Sequence, residues 1–585
     1  MISVLATNIT SPLGFTTMEN YEAVLSGASA LKRYEGLWGL PEPFTASLFT
    51  EEQTKSLAID GYTFFEAIAI QSIRTALTYT ILGNEFSRIV LILSTTKGDI
   101  GVSPSDAAQR IAEAIGLTIT PIVVCNACVS GLSAQLLANH LLSANLYDYA
   151  IVVGAEVQSK FIVSGFQSLK AVSDEPCRPF DIERRGLNPG EAAATIIFAG
   201  PSVPLPWWWR EKKAWHLVSG SICNDAYHNV SPSPQGDGLT SAIEAAMTGW
   251  EKSKLATVCV HGTATLFNDQ MEAMAIQKAG IEDVPLSALK GYYGHTMGAA
   301  GLLETILTMC ATDDGIVLAS KGFTELGVSG KVNISNKSQH TDKTSFLKLM
   351  SGFGGSNVAA LYAKTAPHGE SNCQLSIVNC QLKKTQTVKL SSKQGLSLTD
   401  IYKQEIGNYP KFYKMDTLTR LAFVAAELLK KSLPLTEELE AVILFNHSSS
   451  IVADRQFLDS LEPRRAVKAR SLGTISDEKN FFPSPSLFIY TLPNITTGEI
   501  AIRHHFQGET SFYILPEKDE ALMQQILEAT LRATGAKSAI SGWVDAESNT
   551  SFECELSYYE MKDEVPRLQS RLGAKASKNL LPPCK

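Results

Sequence analysis

Cys128 stands in Val-Cys-Asn-Ala-Cys-Val-Ser-Gly (124–131), directly after the apolar run Ile122-Val123-Val124. His261 follows in Val-Cys-Val-His-Gly-Thr-Ala-Thr (258–265), and His295 in Lys-Gly-Tyr-Tyr-Gly-His-Thr-Met-Gly-Ala-Ala-Gly (290–301). A buried strand that ends in a small-residue turn and opens a helix puts the cysteine sulfur at a helix N-terminus. There the positive end of the macrodipole favours a thiolate. Two imidazoles converging on that sulfur suit carbon–carbon bond chemistry on a thioester, in which negative charge must be held on an oxygen.

The elements that position these residues read as α/β. Apolar runs of strand length recur at Arg88–Ser94, Ile119–Val124, Tyr149–Val153, Ala193–Ala199 and Val258–Val260. Between them Thr63–Thr80 and Gly131–Leu142 have helical spacing and few breakers. Alternation of this kind predicts a mostly parallel sheet with right-handed crossovers.

The first 365 residues resemble the β-ketoacyl-acyl-carrier-protein synthases of the thiolase superfamily. The matches run in order along the chain: Ser11–Gly14, the elbow Asn126–Gly131, Gly154–Glu156 and Phe166–Ser173. Cys177–Asp181, Arg185-Gly186, Gly190-Glu191, Asp225–His228, Pro232 and Pro234 follow. Last come His261–Thr265 with Asn268, Asp269 and Glu272, then Lys290 with His295 and Glu304, and Gly352–Asn357. The resemblance implies a layered thiolase fold of two similar βαβ halves. It also implies roles. Cys128 takes the acyl group, with its own backbone N–H and that of Phe353 as oxyanion donors. His261 and His295, as neutral imidazoles, polarise the malonyl thioester and stabilise the enolate. Lys290 and Glu304, five before and nine after His295, form an ion pair that holds His295. Thr263, Thr265 and Gly354 bind substrate along the phosphopantetheine arm, while Asp269 and Glu272 orient loops.

The 585-residue chain carries a net charge of −8 and 44% hydrophobic residues. That balance argues against nucleic-acid binding. Ten cysteines over this length are no disulfide framework. The Cys125/Cys128 pair invites a redox or zinc reading, but no second such pair follows and its flanks are small and apolar. No metal constellation and no cofactor are expected, since the substrates ride on the phosphopantetheine of a carrier protein. No apolar run reaches 18 residues, and the start of the chain lacks the pattern of a signal peptide; a cytoplasmic protein is expected. Arg184-Arg185 and Arg210, Lys212, Lys213 are candidate basic patches for an acidic carrier protein. Trp207-Trp208-Trp209 reads either as an interfacial anchor or as core cover.

Thr365–Asn372 reads as a linker, and 372–585 as a degenerate copy of the first thiolase half. Leu418–Leu429 followed by 440–450 parallels Phe64–Leu77 followed by Ser87–Thr96. Ser511-Phe-Tyr-Ile-Leu-Pro-Glu stands where the nucleophile would be. Between Thr96-Lys97-Gly98 and Pro104 the first domain lacks the long excursion of its relatives, which builds their dimer interface and acyl pocket. The family's Pro-Asn landmark is absent before Cys128 and appears at Pro493-Asn494. The tail is therefore expected to dock on the first domain through the apolar stripe Leu418, Leu421, Val424, Ala425 and Leu428.

The expected function is a 3-oxoacyl-carrier-protein synthase of a dedicated lipid, polyene or pigment pathway. It would partner an acyl carrier protein and form a homodimer or a heterodimer with a related synthase subunit. The alternatives are a non-catalytic subunit or scaffold resembling a chain length factor, and a thiolase using coenzyme A.

Overall fold

A computed structural model of the chain describes residues 1–80, 82, 86–204, 214–364, 380–395, 397–434, 439–461 and 483–563. Trp207-Trp208-Trp209, Arg210, Lys212, Lys213 and the linker at 365–372 lie outside the described residues.

The first unit runs β1 (Ile2–Thr10), α1 (Phe64–Leu77), β2 (Ile89–Ser94), α2 (Pro104–Ala114), β3 (Ile122–Val124), α3 (Ser130–Ser143), β4 (Tyr149–Glu156), α4 (Lys160–Ser168), β5 (Ala192–Ala199). The second comprises β6 (His216–Asn224), β7 (Leu255–Cys259), α5 (Leu266–Lys278), β8 (Pro285–Ser287), α6 (Ala300–Asp313), β9 (Asn333–Ile334), β10 (Ser345–Ser351) and β11 (Ser356–Ala363). The tail begins with β12 (Cys380–Ser391), α7 (Thr417–Ser432), β13 (Ala441–Asn446), α8 (Ile451–Leu461), α9 (Pro485–Tyr490) and α10 (Ile495–His504). It closes with β14 (Glu509–Ile514), α11 (Glu520–Thr534), β15 (Ser538–Ala546) and β16 (Phe552–Asp563).

Local chemistry accounts for the helix starts. Thr63 caps α1 in a capping box with Glu66, and Asp416 accepts from Leu418 N and Thr419 N to open α7, each satisfying N–H groups the helix itself leaves unpaired. The strands are apolar on both faces because both faces are covered. On β2, Ile89, Leu91 and Leu93 join a core that also holds residues of α1 and α7. Val90 and Ile92 join the opposite core, with residues of α3, α6 and α11. The central helices α3 and α6 touch backbone to backbone. A Cβ at Gly131 would lie 2.6 Å from Gly298 O, and one at Gly301 2.5 Å from Leu132 N. Only glycine allows that approach.

Among the described residues sixteen strands form one sheet in the order β9-β8-β7-β10-β11-β6-β1-β5-β4-β2-β3-β14-β13-β15-β16-β12. It is mixed rather than mostly parallel. β5 returns antiparallel beside β4, β11 beside β10 and β16 beside β15, because a unit whose last two strands form an adjacent pair has no crossover between them. The tail repeats the first unit in order and direction. β12-β16-β15-β13-β14 mirrors β1-β5-β4-β2-β3 across the joint. At the joint β3 and β14 run antiparallel, with Tyr513 opposite Val124 and Ile514 opposite Val123.

The tail thus docks on the first unit, but not through the stripe that the sequence suggests. Leu418, Leu421, Val424 and Ala425 are fully buried, and α7 packs on β16, β12, β15 and α10 of the tail itself. A sheet within the tail supplies the cover that was sought outside it. The contacts across the joint come from α11 on α3, β14 on β3 and β6, and α8 and α9 on α4. Cutting the chain after Lys364 would bare the β3 edge and the buried flank of α3, an aggregation-prone surface. The 1–364 fragment is expected to aggregate or to lose all acyl transfer, as size-exclusion chromatography and a loading assay would report. A soluble, fully active fragment would show that the tail does not complete the first unit.

Candidate active site

β3 ends at Val124, and Ala127 takes a left-handed φ of 49° one residue before Cys128. That strained backbone is held from several sides. Cys125 N donates to Phe512 O at 3.1 Å, and Asn126 Oδ1 accepts from Phe512 N at 2.8 Å. Asn126 N donates to Ser130 Oγ. The elbow is therefore fastened to β14 of the tail. Cys125 is buried with its thiol on Thr96 O, and both cysteines are free.

His261 follows β7. Glu272 on α5 accepts from the backbone N–H of His261 (2.5 Å) and of Gly262 (2.9 Å), so the carboxylate pins the strand end. Lys290 Nζ donates to His261 O (2.6 Å) and to Glu304 Oε1 (2.7 Å). The Lys290–Glu304 pair exists, but it holds the backbone of His261 rather than His295. A second lysine, Lys348 on β10, reaches Glu304 Oε2 at 2.5 Å and Val260 O at 3.2 Å. All three charges are buried. Burial alone would raise the Glu304 carboxyl, but Lys290 and Lys348 outweigh it and hold it below the usual carboxylate range. The sequence reading missed Lys348. Its signal was a lysine in the middle of the apolar strand Ser-Phe-Leu-Lys-Leu-Met-Ser, where a charge survives only if paired.

His295 leads into α6. Its Nδ1 accepts from Met297 N at 3.2 Å, so in the neutral ring the proton sits on Nε2. That Nε2 and His261 Nδ1 are buried and have no hydrogen-bond partner among the described residues. The two rings stand 5.0 Å apart at 79°. Burial first, then the nearby Lys290, lowers both imidazoles well below their ordinary range, so both are neutral near pH 7. One donor atom from each of Cys128, His261 and His295 lies within 4.8 Å of the others. A metal ion could span this spacing, a feature that the sequence reading did not single out.

The expectation of a resting thiolate is also corrected. Burial pushes the Cys128 thiol up to about 12, against the opposing pull of Lys290. Desolvation of an anion in this apolar elbow exceeds what the helix end returns, so the sulfur rests as a thiol beside two neutral bases.

The turn Gly352–Gly355 lies alongside. A Cβ at Gly352 would be 3.4 Å from Cys128 N, which puts the turn next to the Cys128 backbone. Gly354 has φ +86°, and a Cβ there would meet Asn494 Nδ2 at 2.7 Å. It faces the tail and does not line the cleft, contrary to its expected place on the substrate side. Asn494 Nδ2 donates to Phe353 O at 2.8 Å, Gly354 N to Asn229 O and Asn224 Nδ2 to Gly354 O. The Pro-Asn landmark seen only in the tail thus braces the Phe353 turn.

Cys128, His261, His295 and Phe353 meet at the foot of a cleft of about 320 Å³ that Thr263, Thr265 and Phe267 also line. Thr263 Oγ1 and Thr265 Oγ1 lie 2.9 Å apart. Asp269 does orient a loop, accepting from Phe180 N. Arg185 lines the cleft. Arg184 is buried on Asp181 O, Gly327 O and Leu266 O, so it belongs to the framework and not to a basic surface. No helix among the described residues is long and apolar enough to cross a membrane.

Comparisons with known proteins bear on the family and the fold. The family described as "Beta-ketoacyl synthase, N-terminal domain" matches residues 84–200, and "Beta-ketoacyl synthase, C-terminal domain" matches residues 216–324. The chain is 30% identical over 294 residues to 3-oxoacyl-acyl-carrier-protein synthase 2 of Vibrio cholerae, covering 46% of this chain and 70% of that protein. It is 31% identical over 271 residues to the protein of the same name from Mycobacterium leprae, covering 43% and 63%. The chain thus spans roughly two thirds of the length of these relatives. Among solved structures, "PfaC Keto synthase-Chain length factor" superposes with a TM-score of 0.72 at 13% identity, over 96% of this chain and 78% of that one. The ketosynthase ApeO in complex with its chain length factor ApeC, from Xenorhabdus doucetiae, gives 0.53 at 22% identity, over 62% and 97%. These likenesses carry the layered thiolase-like fold.

Proposed function

The chain belongs to the β-ketoacyl synthase family, and from that premise we propose that it catalyses a decarboxylating Claisen condensation between an acyl thioester and a malonyl thioester, both delivered by an acyl carrier protein. The observation that carries this reading is the convergence of the Cys128 thiol and two neutral imidazoles, each with one ring nitrogen unpartnered among the described residues, at the foot of one cleft.

In the first half-reaction Cys128 Sγ attacks the acyl carbonyl. Backbone N–H groups of Cys128 and Phe353 receive the oxyanion. The new carbon–sulfur bond replaces the old one, and the proton from Sγ passes through a neutral imidazole to the leaving pantetheine thiol. In the second, the bond from malonyl carbon to carboxylate breaks and CO2 leaves. The electron pair becomes an enolate whose oxygen is held by His295 Nε2–H and by His261. The enolate carbon attacks the acyl-Cys128 carbonyl, and the carbon–sulfur bond to Cys128 breaks. The Cys128 sulfur takes up a proton from solvent, the one proton the condensation consumes, and a 3-oxoacyl thioester departs on the carrier. The reading requires no cofactor. Glu304, Lys290 and Lys348 act as support, keeping His261 in register.

We read 1–365 as the condensing unit and 372–585 as its partner half, supplied in cis. The order of its strands and its grip on the elbow and the Phe353 turn favour a role like that of a chain length factor. The edge of β3 is already paired with β14 and is closed to a second copy. A dedicated lipid, polyene or pigment pathway fits a condensing unit fused to such a partner.

An enzyme and a scaffold separate on labelling: a short-chain epoxy amide, small enough for the space beside Cys128, is expected to modify Cys128 stoichiometrically in intact-mass spectra, and a protein inert to it would favour the scaffold. A second expected result concerns pH. Because both imidazoles are held well below their ordinary range, they stay neutral as pH falls through the usual histidine range near ~6.5. The imidazoles should therefore add no step to CO2 release from malonyl-carrier between about pH 6 and 8; a step there belongs to the buried Glu272 carboxyl, which burial pushes up to about 7 beside the His261 backbone. A loss of activity centred near ~6.5 that persists in Glu272→Gln would refute the neutral pair.

A further inference from the structure

Behind Cys128, on the side away from the access cleft, lies a second cavity of about 20 Å³. A single buried water needs about 10–15 Å³ on the same scale, so the space admits little more than a methyl or ethyl group. The outer cleft must hold the pantetheine arm in both half-reactions, so an acyl chain on Cys128 has to point inward. Resting on the condensing-enzyme reading above, we propose that the tail residues Phe488 and Leu492 wall off this inner cavity and restrict Cys128 to short acyl groups, acetyl and propionyl.

The wall is built from both halves of the chain. Phe488 on α9 and Leu492 just after it face Ile162, Phe166, Met297 and Phe353 across the cavity. The Phe488 ring is clamped. It stands edge-on to Phe166 at 5.3 Å and tilted against Phe457 at 5.4 Å. On its other flank a Cβ at Gly165 would lie 2.2 Å from the ring, so α4 and α9 are already in contact and the ring cannot swing that way. Phe166 in turn stacks on Phe353 at 5.9 Å, linking the wall to the catalytic turn.

The floor is as firm. Lys97 also lines the cavity. Its ammonium pairs with Asp454 on α8 at 2.5 Å and donates to Thr491 O. Both residues of the pair are buried. A longer alkyl chain would have to displace an interlocked phenyl ring or part a buried ion pair, and parting such a pair leaves an uncompensated charge in the core. Lys97 and Asp454 come from opposite sides of the joint, so the stop is a property of the docked tail.

The loading step is a thioester exchange: acyl–Cys128 forms, the acyl–pantetheine bond breaks, and the thiol proton leaves with the pantetheine. The test is to offer the full chain pantetheine thioesters from acetyl to octanoyl and to follow the rate and stoichiometry of Cys128 acylation by intact mass. Acetyl and propionyl should load, with hexanoyl and longer chains at least ~10-fold slower, the low end of what a misfit methylene costs in a closed pocket. Phe488→Ala should raise the hexanoyl-to-acetyl ratio at least ~10-fold, and Phe488→Leu should raise it less. Octanoyl loading as fast as acetyl in the unaltered protein would overturn the proposal and leave the condensing reaction standing. An unchanged ratio in a Phe488→Ala protein with a native melting curve would remove Phe488 from the wall. If Phe488→Ala does not fold, the profile of the unaltered protein and Phe488→Leu decide. Failure of every thioester to load would bring down the condensing-enzyme reading, and this inference with it.

Discussion

Replacing Cys128 with alanine is expected to abolish acyl-enzyme formation outright, whereas Cys125→Ala leaves it measurable. The two sulfurs are three residues apart and both buried, yet their surroundings differ. Cys125 sits with its thiol on Thr96 O, away from the imidazoles. Cys128 shares its cavity with a nitrogen of each histidine within 4.8 Å and opens to the cleft. Its thiol, pushed up to about 12 by burial, loses its proton only when a base takes it, so reactivity depends on place rather than on intrinsic acidity. Since the nucleophile forms the intermediate itself, no neighbouring group can substitute for it. Intact-mass spectra after incubation with an acyl thioester check this. An added acyl mass on Cys128→Ala would remove the residue from the reaction.

The second large effect belongs to the histidines. His261→Ala or His295→Ala should each slow CO2 release from malonyl-carrier by at least ~10²-fold, the usual scale for deleting one preorganised charge-stabilising group. The argument rests on direction and protonation. His295 accepts from Met297 N on Nδ1 and presents Nε2–H to the cavity. His261 is fixed from behind by Glu272 and Lys290. An enolate oxygen forming between them meets donors that need no reorganisation. Acyl loading should fall less than decarboxylation in each variant. A single mutant that releases CO2 at the unaltered rate would refute the role.

Much of this site was legible in the sequence because the residues proposed to do the chemistry carry their own context. A cysteine after an apolar strand and two histidines flanked by glycines announce positions where side chains crowd a cavity. The alternation of strand and helix was equally readable, and so was the likeness of 418–450 to 64–96. What failed depends on three dimensions. Alternation does not reveal which neighbouring strands return antiparallel, so the sheet is mixed. The apolar stripe of α7 is visible in the sequence, but not that its cover is β15, β16 and β12 of the same unit. The thiolate expectation counted the helix end and could not count the desolvation of Cys128. Lys348 was missed as an isolated residue, since its partner Glu304 lies 44 positions away. Asn494 and Phe488 act on the Phe353 turn and the inner cavity from across the joint, which no local pattern encodes.

The central claim is that one chain joins an acyl group on Cys128 to the two-carbon unit left by malonyl decarboxylation. The direct measurement is mass spectrometry of the carrier protein after incubation with the enzyme, acetyl-carrier and ¹³C-labelled malonyl-carrier. The account predicts a 3-oxoacyl-carrier carrying the malonyl label in its two carbons nearest sulfur, formed together with free CO2 and absent with Cys128→Ala. An acetylated Cys128 that accumulates while malonyl-carrier is left unchanged would contradict it.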